Sequence, residues 1–208
     1  MDASIAATNK YPASKFRIAV SRVLAACLIV LVFFNEDCWS KSGFVEIFFE
    51  SLGLILVAVG SFGRLWASLY IGGYKNDRLI TCGPYSVTRN PLYFFSFVGI
   101  VGIGLSARSF IIPGLLILGF SIYYPWVIRE EEIKLKSTHP EEFERYKSVP
   151  RFLPNPSLYH EPETYVVNTR RYVKCMLDCS FFLWTYMALH IVEKLHAMNV
   201  IPVFFRMP

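Results

Sequence analysis

The chain has little charge. Asp, Glu, Lys and Arg make up 18% of its 208 residues, where a soluble domain usually carries about 25%. It also lacks internal repeats and low-complexity tracts, which excludes disordered, collagenous and solenoid chains. There is no C-x-x-C pair and no Cys/His cluster at metal-ligand spacing, so no metal centre is expected. The five cysteines (Cys27, Cys38, Cys82, Cys175 and Cys179) are odd in number, which argues against a disulfide framework. Cys27, Cys175 and Cys179 sit in apolar stretches, where cysteine behaves as a small hydrophobe. No basic patch interleaved with aromatics points to nucleic acid. No small-residue cleavage site follows the first apolar run, so no secretory signal is expected.

Apolar and aromatic residues fill the chain instead. It is 54% hydrophobic and 16% aromatic, with a net charge of +5, a pI near 8.9 and a mean hydropathy of +0.39. This composition predicts a chain solvated by lipid, with its positive charge in loops at one membrane face. Apolar stretches fall at 23–34, 45–71, 92–105, 110–128 and 176–192, followed by a short apolar tail at 200–205. The 92–105 run is short for a perpendicular crossing, so a packed hairpin with 110–128 is expected. The prediction is an all-α integral membrane protein of about five transmembrane helices. Segment 1–44 holds an N-terminal polar stretch and the first span, 45–156 forms a core, and 157–208 holds a linker and the fifth apolar helix. Placing the N-terminus, the loop 72–91 and the stretch 129–174 on one side collects sixteen of the twenty-one basic residues there and leaves four on the other, with Arg64 inside a span. The positive-inside rule assigns the first side to the cytosol.

Chemistry concentrates in three stretches of that side. In Cys82-Gly83-Pro84-Tyr85-Ser86-Val87-Thr88-Arg89-Asn90-Pro91-Leu92-Tyr93, Gly83-Pro84 predicts a turn. Pro91 suits the first position of a helix and Asn90 its N-cap. Arg89 would then lie at a helix N-terminus at the membrane face, a place that favours anions. Arg129-Glu130-Glu131-Glu132 follows the fourth span. If the helix ended there, these acids would oppose its dipole; in either case they call for a cation. Thr138-His139-Pro140-Glu141 has the spacing of a capping box, and a short helix to about residue 147 should follow. Pro150, Pro154 and Pro156 then predict an extended segment able to fold back over the site. His139 reads as a residue of the cap region.

Taken together, G-P-Y-x3-R-N-P-x-Y, E-E-x2-L and E-E-F-x2-Y-x2-V-P-R-x-x-P resemble the isoprenylcysteine carboxyl methyltransferase and phospholipid methyltransferase superfamily, over roughly residues 60–154. The resemblance implies an integral-membrane enzyme using S-adenosylmethionine in a cytosolic helical pocket, with no Rossmann fold. It marks Arg89, Pro91 and Tyr93 as the R-H-P-x-Y positions, with Asn90 where His is usual. His139-Pro140 stands where Phe-Gly is more frequent. Glu131 and Glu132 match the paired acids that hold the cofactor's amino group, Gly102 and Gly104 resemble the G-x-G of the phospholipid branch, and Tyr146 and Arg151 match the terminal motif. Tyr85, Asn90, Pro91, Gly102, Gly104, Glu131, Glu132 and Tyr146 are thus candidate cofactor-binding residues. Arg89, Tyr93, Arg129 and Arg151 are candidate catalytic or acceptor-positioning residues.

A sulfonium donor with an amino-acid tail suits paired acids and arginines, and methyl transfer is largely a matter of alignment. The scarcity of His near these stretches favours an anionic acceptor, a carboxylate or phosphate, which needs no general base. The acceptor would be a membrane lipid or a lipidated molecule, with no nucleic acid or metal involved. A phospholipid amine acceptor, an NADPH-dependent sterol-type reductase and a non-enzymatic membrane protein remain the alternatives. The fifth apolar helix could close the acceptor entrance, lie at the interface or form a dimer contact.

Overall fold

In the computed structural model the described residues are 35–37, 43–71, 78–107, 111–198, 200 and 205–207. The sequence-predicted first span at 23–34, the Gly72-Gly73 stop and half of the turn at 106–109 lie outside them. The described chain is helical, apart from a three-residue parallel pairing of Asn35–Asp37 (β1) with Phe205–Met207 (β2).

Helix α1, Gly43–Ile71, is built from the long apolar run and is long enough to cross a membrane. Its small residues face helix α3, Pro91–Ser106. A Cβ on Gly60 would lie 2.6 Å from Gly99 Cα, and one on Gly102 would lie 2.7 Å from Gly53 O. Glycines on both partners therefore let the two backbones meet closely, the usual device of helix pairs in lipid. The expected hairpin of α3 with the next helix is thus only part of its packing: α3 contacts that helix but lies chiefly against α1. With 16 residues, α3 spans about 24 Å at 1.5 Å per residue, so it stays short of a full crossing.

Helix α4, Ile111–Thr138, does not stop where the apolar run ends near residue 128; it continues as a helix beyond the spanning window. Glu130, Glu131 and Glu132 therefore sit inside a helix, away from its C-terminal carbonyls, and the expected conflict with the dipole falls away. The capping box is not formed. Thr138 closes α4 and its hydroxyl bonds back to Lys134 O at 3.0 Å. His139 takes the N-cap position of α5, Pro140–Tyr146, without a side-chain cap bond. Helix α6, Thr169–Ala197, packs on α1 and α3 and supplies the third candidate span, Tyr172–His196. The C-terminal segment thus forms part of the same helical body. Three helices long and apolar enough to cross a membrane, with α3 between them, make this a multi-pass membrane protein.

Candidate functional site

The site is assembled where α3 begins, where α4 leaves its apolar stretch, and where a strap returns over both. Gly83 sets the entry. Its φ of 59° is left-handed, and a side chain there would collide with the Tyr70 ring. The chain then makes one helical turn, Pro84–Val87 (α2), and an extended residue at Thr88. Arg89 N donates to Pro150 O at 2.8 Å and Asn155 N to Val87 O at 2.8 Å. Thr88 Oγ1 donates to Phe152 O at 3.0 Å. Asn90 occupies the N-cap position of α3, but its side chain does not cap the helix. Its Nδ2 donates instead to Arg151 O at 2.8 Å. The proline-rich segment is thereby tied, residue by residue, to the Thr88-Arg89-Asn90 run.

These ties bring the charged candidates together. Glu132 receives Arg89 Nη1 at 3.4 Å and Arg151 Nη2 at 3.1 Å. Side-chain exposure is 14% for Arg89, 19% for Glu132 and 43% for Arg151, so the inner half of the triad is the desolvated half. The Arg89 guanidinium also lies 5.9 Å from the centre of the Phe143 ring of α5, a cation–π distance. Glu131 faces a different partner, accepting the Tyr93 hydroxyl at 2.8 Å. The two neighbouring acids are thus divided between arginines and a tyrosine, as their angular offset on a helix requires. Tyr146 donates to Tyr85 O at 2.7 Å and closes the floor. Burial pushes the Tyr85 hydroxyl well above its ordinary range, and nearby Tyr146, Glu131 and Tyr93 add to the shift. Burial likewise raises Tyr146, with Arg89 opposing.

Two polar atoms in this cluster, Arg89 Nε and the Tyr85 hydroxyl, are buried without a hydrogen-bond partner among the described residues, and Glu132 Oε1 is buried with only the 3.4 Å ion pair to Arg89 Nη1. Buried polar groups are seldom left so. A free guanidinium donor and a free hydroxyl in a cluster that also holds a carboxylate suit a zwitterionic ligand group. Below them lies an aromatic layer whose members sequence reasoning did not single out. Tyr124 stacks on Phe120 at 3.8 Å and meets Tyr93 edge-on at 5.2 Å. Phe97 packs on Phe120 at 4.9 Å, and Phe152 of the strap is 6.0 Å from Phe120. The i, i+4 spacing of Phe120 and Tyr124, and of Tyr93 and Phe97, was the available signal.

The other candidates fall elsewhere. Pro91 is buried at the first turn of α3. Arg129 is exposed on α4 and has no ion pair among the described residues. Gly102 packs against α1, and a Cβ on Gly104 would lie 2.8 Å from Pro113 of α4, so neither glycine joins the cluster. His139 faces Glu142 at 3.6 Å.

A helical membrane body with an Arg/Glu/Tyr cluster at one end of its spans is not a Rossmann enzyme. The family described as phospholipid methyltransferase matches residues 49–141, which carry most of α1, the Arg89–Tyr93 run and both acids. The chain belongs to that family. It is similar to the nickel-cobalt-cadmium resistance protein NccN of Alcaligenes xylosoxydans xylosoxydans, with 32% identity over 94% of this chain and 91% of the relative. It is also similar to the cobalt-zinc-cadmium resistance protein CzcN of Cupriavidus metallidurans, with 34% identity over 90% of this chain and 87% of the relative. No solved structure matches the chain.

Proposed function

We propose that this protein is a membrane methyltransferase that moves a methyl group from S-adenosylmethionine to the anionic head of a lipid-like acceptor at the cytosolic membrane face. The observation that carries the reading is the Arg89–Glu132–Arg151 triad beside Tyr93–Glu131, with the buried Arg89 Nε and Tyr85 hydroxyl still without a hydrogen-bond partner. Glu132 and Glu131 would hold the ammonium of the donor's amino-acid tail, and Arg89 its carboxylate. Arg151, the more exposed arginine, would meet the acceptor. When bound, the donor supplies an electrophilic methyl: the acceptor's lone pair forms the new bond to carbon while the sulfonium bond breaks and its electrons stay on sulfur. The chain's own contribution is alignment and exclusion of water. The strap from Pro150 to Asn155 covers the cluster, and Phe120, Tyr124 and Phe152 supply an apolar floor. Asn90, turned to the strap, acts as a positioning residue.

The family's description favours a second acceptor, a phospholipid amine. Such an acceptor must lose a proton, and Glu131, paired with Tyr93, is the group in place to take it. The names of the two relatives attach them to resistance to heavy metals. Among the described residues no group of three or more His, Cys, Asp and Glu side chains comes together as a metal site. On the methyltransferase reading, a part in metal resistance would run through a methylated membrane component.

The test is calorimetric titration of the detergent-purified chain with S-adenosylmethionine, followed by labelled-methyl transfer into fractionated membrane lipids. Donor binding and label in an acidic lipid are expected. Label confined to amine headgroups would move the acceptor to the second reading, and failure of the donor to bind would overturn both.

A further inference from the structure

Arg64 lies seven residues inside the end of α1, about 10 Å below that end at 1.5 Å per residue. Its surroundings do not balance its charge. Nη1 donates to Ser96 Oγ, whose own proton goes to Leu92 O at 2.6 Å. The guanidinium lies 5.4 Å from the centre of the Phe182 ring of α6. Nε is buried with no hydrogen-bond partner, and no carboxylate pairs with Arg64 among the described residues. A hydroxyl and a ring would be served by a neutral side chain. A cation inside a span without an acid beside it is costly and marks a functional position by default. The Tyr124 ring meets Tyr93 at 5.2 Å, and Tyr93 holds Glu131. Ser96 lies three residues along α3 from Tyr93, about one turn deeper. Arg64 is thus placed beneath the charged cluster, on its membrane side.

We propose that Arg64 is the anchor for the acceptor's anionic group, a carboxylate or phosphate carried on a lipid chain. This rests on the methyltransferase reading for its purpose but not for its measurement. Held there, the head would sit between Arg64 and the charged cluster, where Arg151 can meet it from the other side, with its chain in the bilayer. Ser96 and Phe182 would act as positioning residues that hold the guanidinium in place.

The experiment measures binding of dodecyl phosphate, dodecyl trimethylammonium and inorganic phosphate to the full chain in nanodiscs, with S-adenosylmethionine titrated separately on the same samples. The wild type should prefer dodecyl phosphate to the other two by at least tenfold. Arg64→Met should lose that affinity by at least tenfold, Arg64→Lys should retain part of it, and donor affinity and thermal midpoint should hold in both. If Arg64→Met does not fold, Arg64→Gln removes the charge while keeping a donor for Ser96. Equal binding of the cationic amphiphile, equal binding of inorganic phosphate, or an unchanged dodecyl phosphate affinity without Arg64 overturns the proposal. So does a parallel loss of donor affinity and stability, which would make Arg64 a packing residue. A wild type that binds dodecyl phosphate through Arg64 but never the donor would leave the anchor standing and remove the methyltransferase reading.

Discussion

Glu132 stands between two guanidiniums, and its removal should be felt twice. Glu132→Gln leaves Arg89 and Arg151 facing each other without a counter-charge. Contacts to charged groups are worth about 1.5–3 kcal/mol each, so donor affinity should fall about ten- to a hundredfold. Glu131→Gln keeps an acceptor for Tyr93 and should cost less; titration of both variants against the wild type measures the difference, and the reverse order would reassign the two acids. Tyr146→Phe is a stability test. It leaves the Tyr85 carbonyl without its 2.7 Å donor, at a cost of about 1–2 kcal/mol, and should lower the thermal midpoint by a few degrees. An unchanged midpoint would mean that another donor replaces it. At this scale the sequence revealed which residues would gather but not how they would pair. Arg89, Tyr93, Glu131, Glu132 and Arg151 carry motif spacing. That Asn90 would turn from its own helix to Arg151 O depends on a strap sixty residues away, which local propensity cannot encode. The contact of Gly102 and Gly104 with neighbouring helices was hidden because a glycine that packs and one that lines a site read alike.

Helix α1 and helix α3 are held by the absence of side chains. Gly60→Ala puts a Cβ 2.6 Å from the Gly99 backbone, whereas Gly119 on α4 has nothing within 4 Å. Overpacking typically costs about 1–3 kcal/mol, so Gly60→Ala should lower the thermal midpoint in detergent while Gly119→Ala leaves it unchanged or raises it. Equal effects would count against the close pair. The segment that follows the strap offers a pH test. Glu161 accepts hydroxyls from Tyr70 and Tyr159, and these bonds hold its carboxyl below the ordinary range, Tyr159 first. A carboxyl lowered by folding stabilises fully above its unfolded value, about 4.3, and loses that contribution as pH falls through the folded value. Protection of the Gly83 amide, bonded to His160 O at 2.9 Å, should therefore weaken below about pH 4.3, and Glu161→Gln should remove that step. Amide exchange against pH checks both. The helices at 45–71 and 92–105 were readable because apolar runs bounded by Gly and Pro allow little else. The continuation of α4 to Thr138 was not, because the hydropathy signal ends where the helix leaves the apolar layer, while its backbone bonds do not.

The whole molecule has a sided architecture that the basic residues anticipate. The end of α1, the start of α3, the polar end of α4, α5 and the strap all meet at the site, while the start of α1 and the end of α6 lie at the opposite end. There His190 faces Glu50 at 3.5 Å and Glu193 at 3.2 Å, and β1 pairs with β2. The loop before α3 and the stretch after α4 thus share one face, as the distribution of Lys and Arg requires. Which compartment that face meets is a separate matter, and the sixteen-to-four split of basic residues argues for the cytosol. The proposed donor would demand the same, since a cytosolic cofactor would have to reach Glu132 without crossing lipid. Single cysteines at Ser148 on the strap side and Met198 beyond the polar end of α6 separate the alternatives, in a chain whose native cysteines are replaced. A membrane-impermeant thiol reagent applied to intact cells should label Met198→Cys at once and Ser148→Cys only after permeabilisation. The opposite pattern would place the cluster outside the cytosol, cut it off from the proposed donor, and leave the geometry of Arg89, Glu132 and Arg151 without the reaction proposed for it.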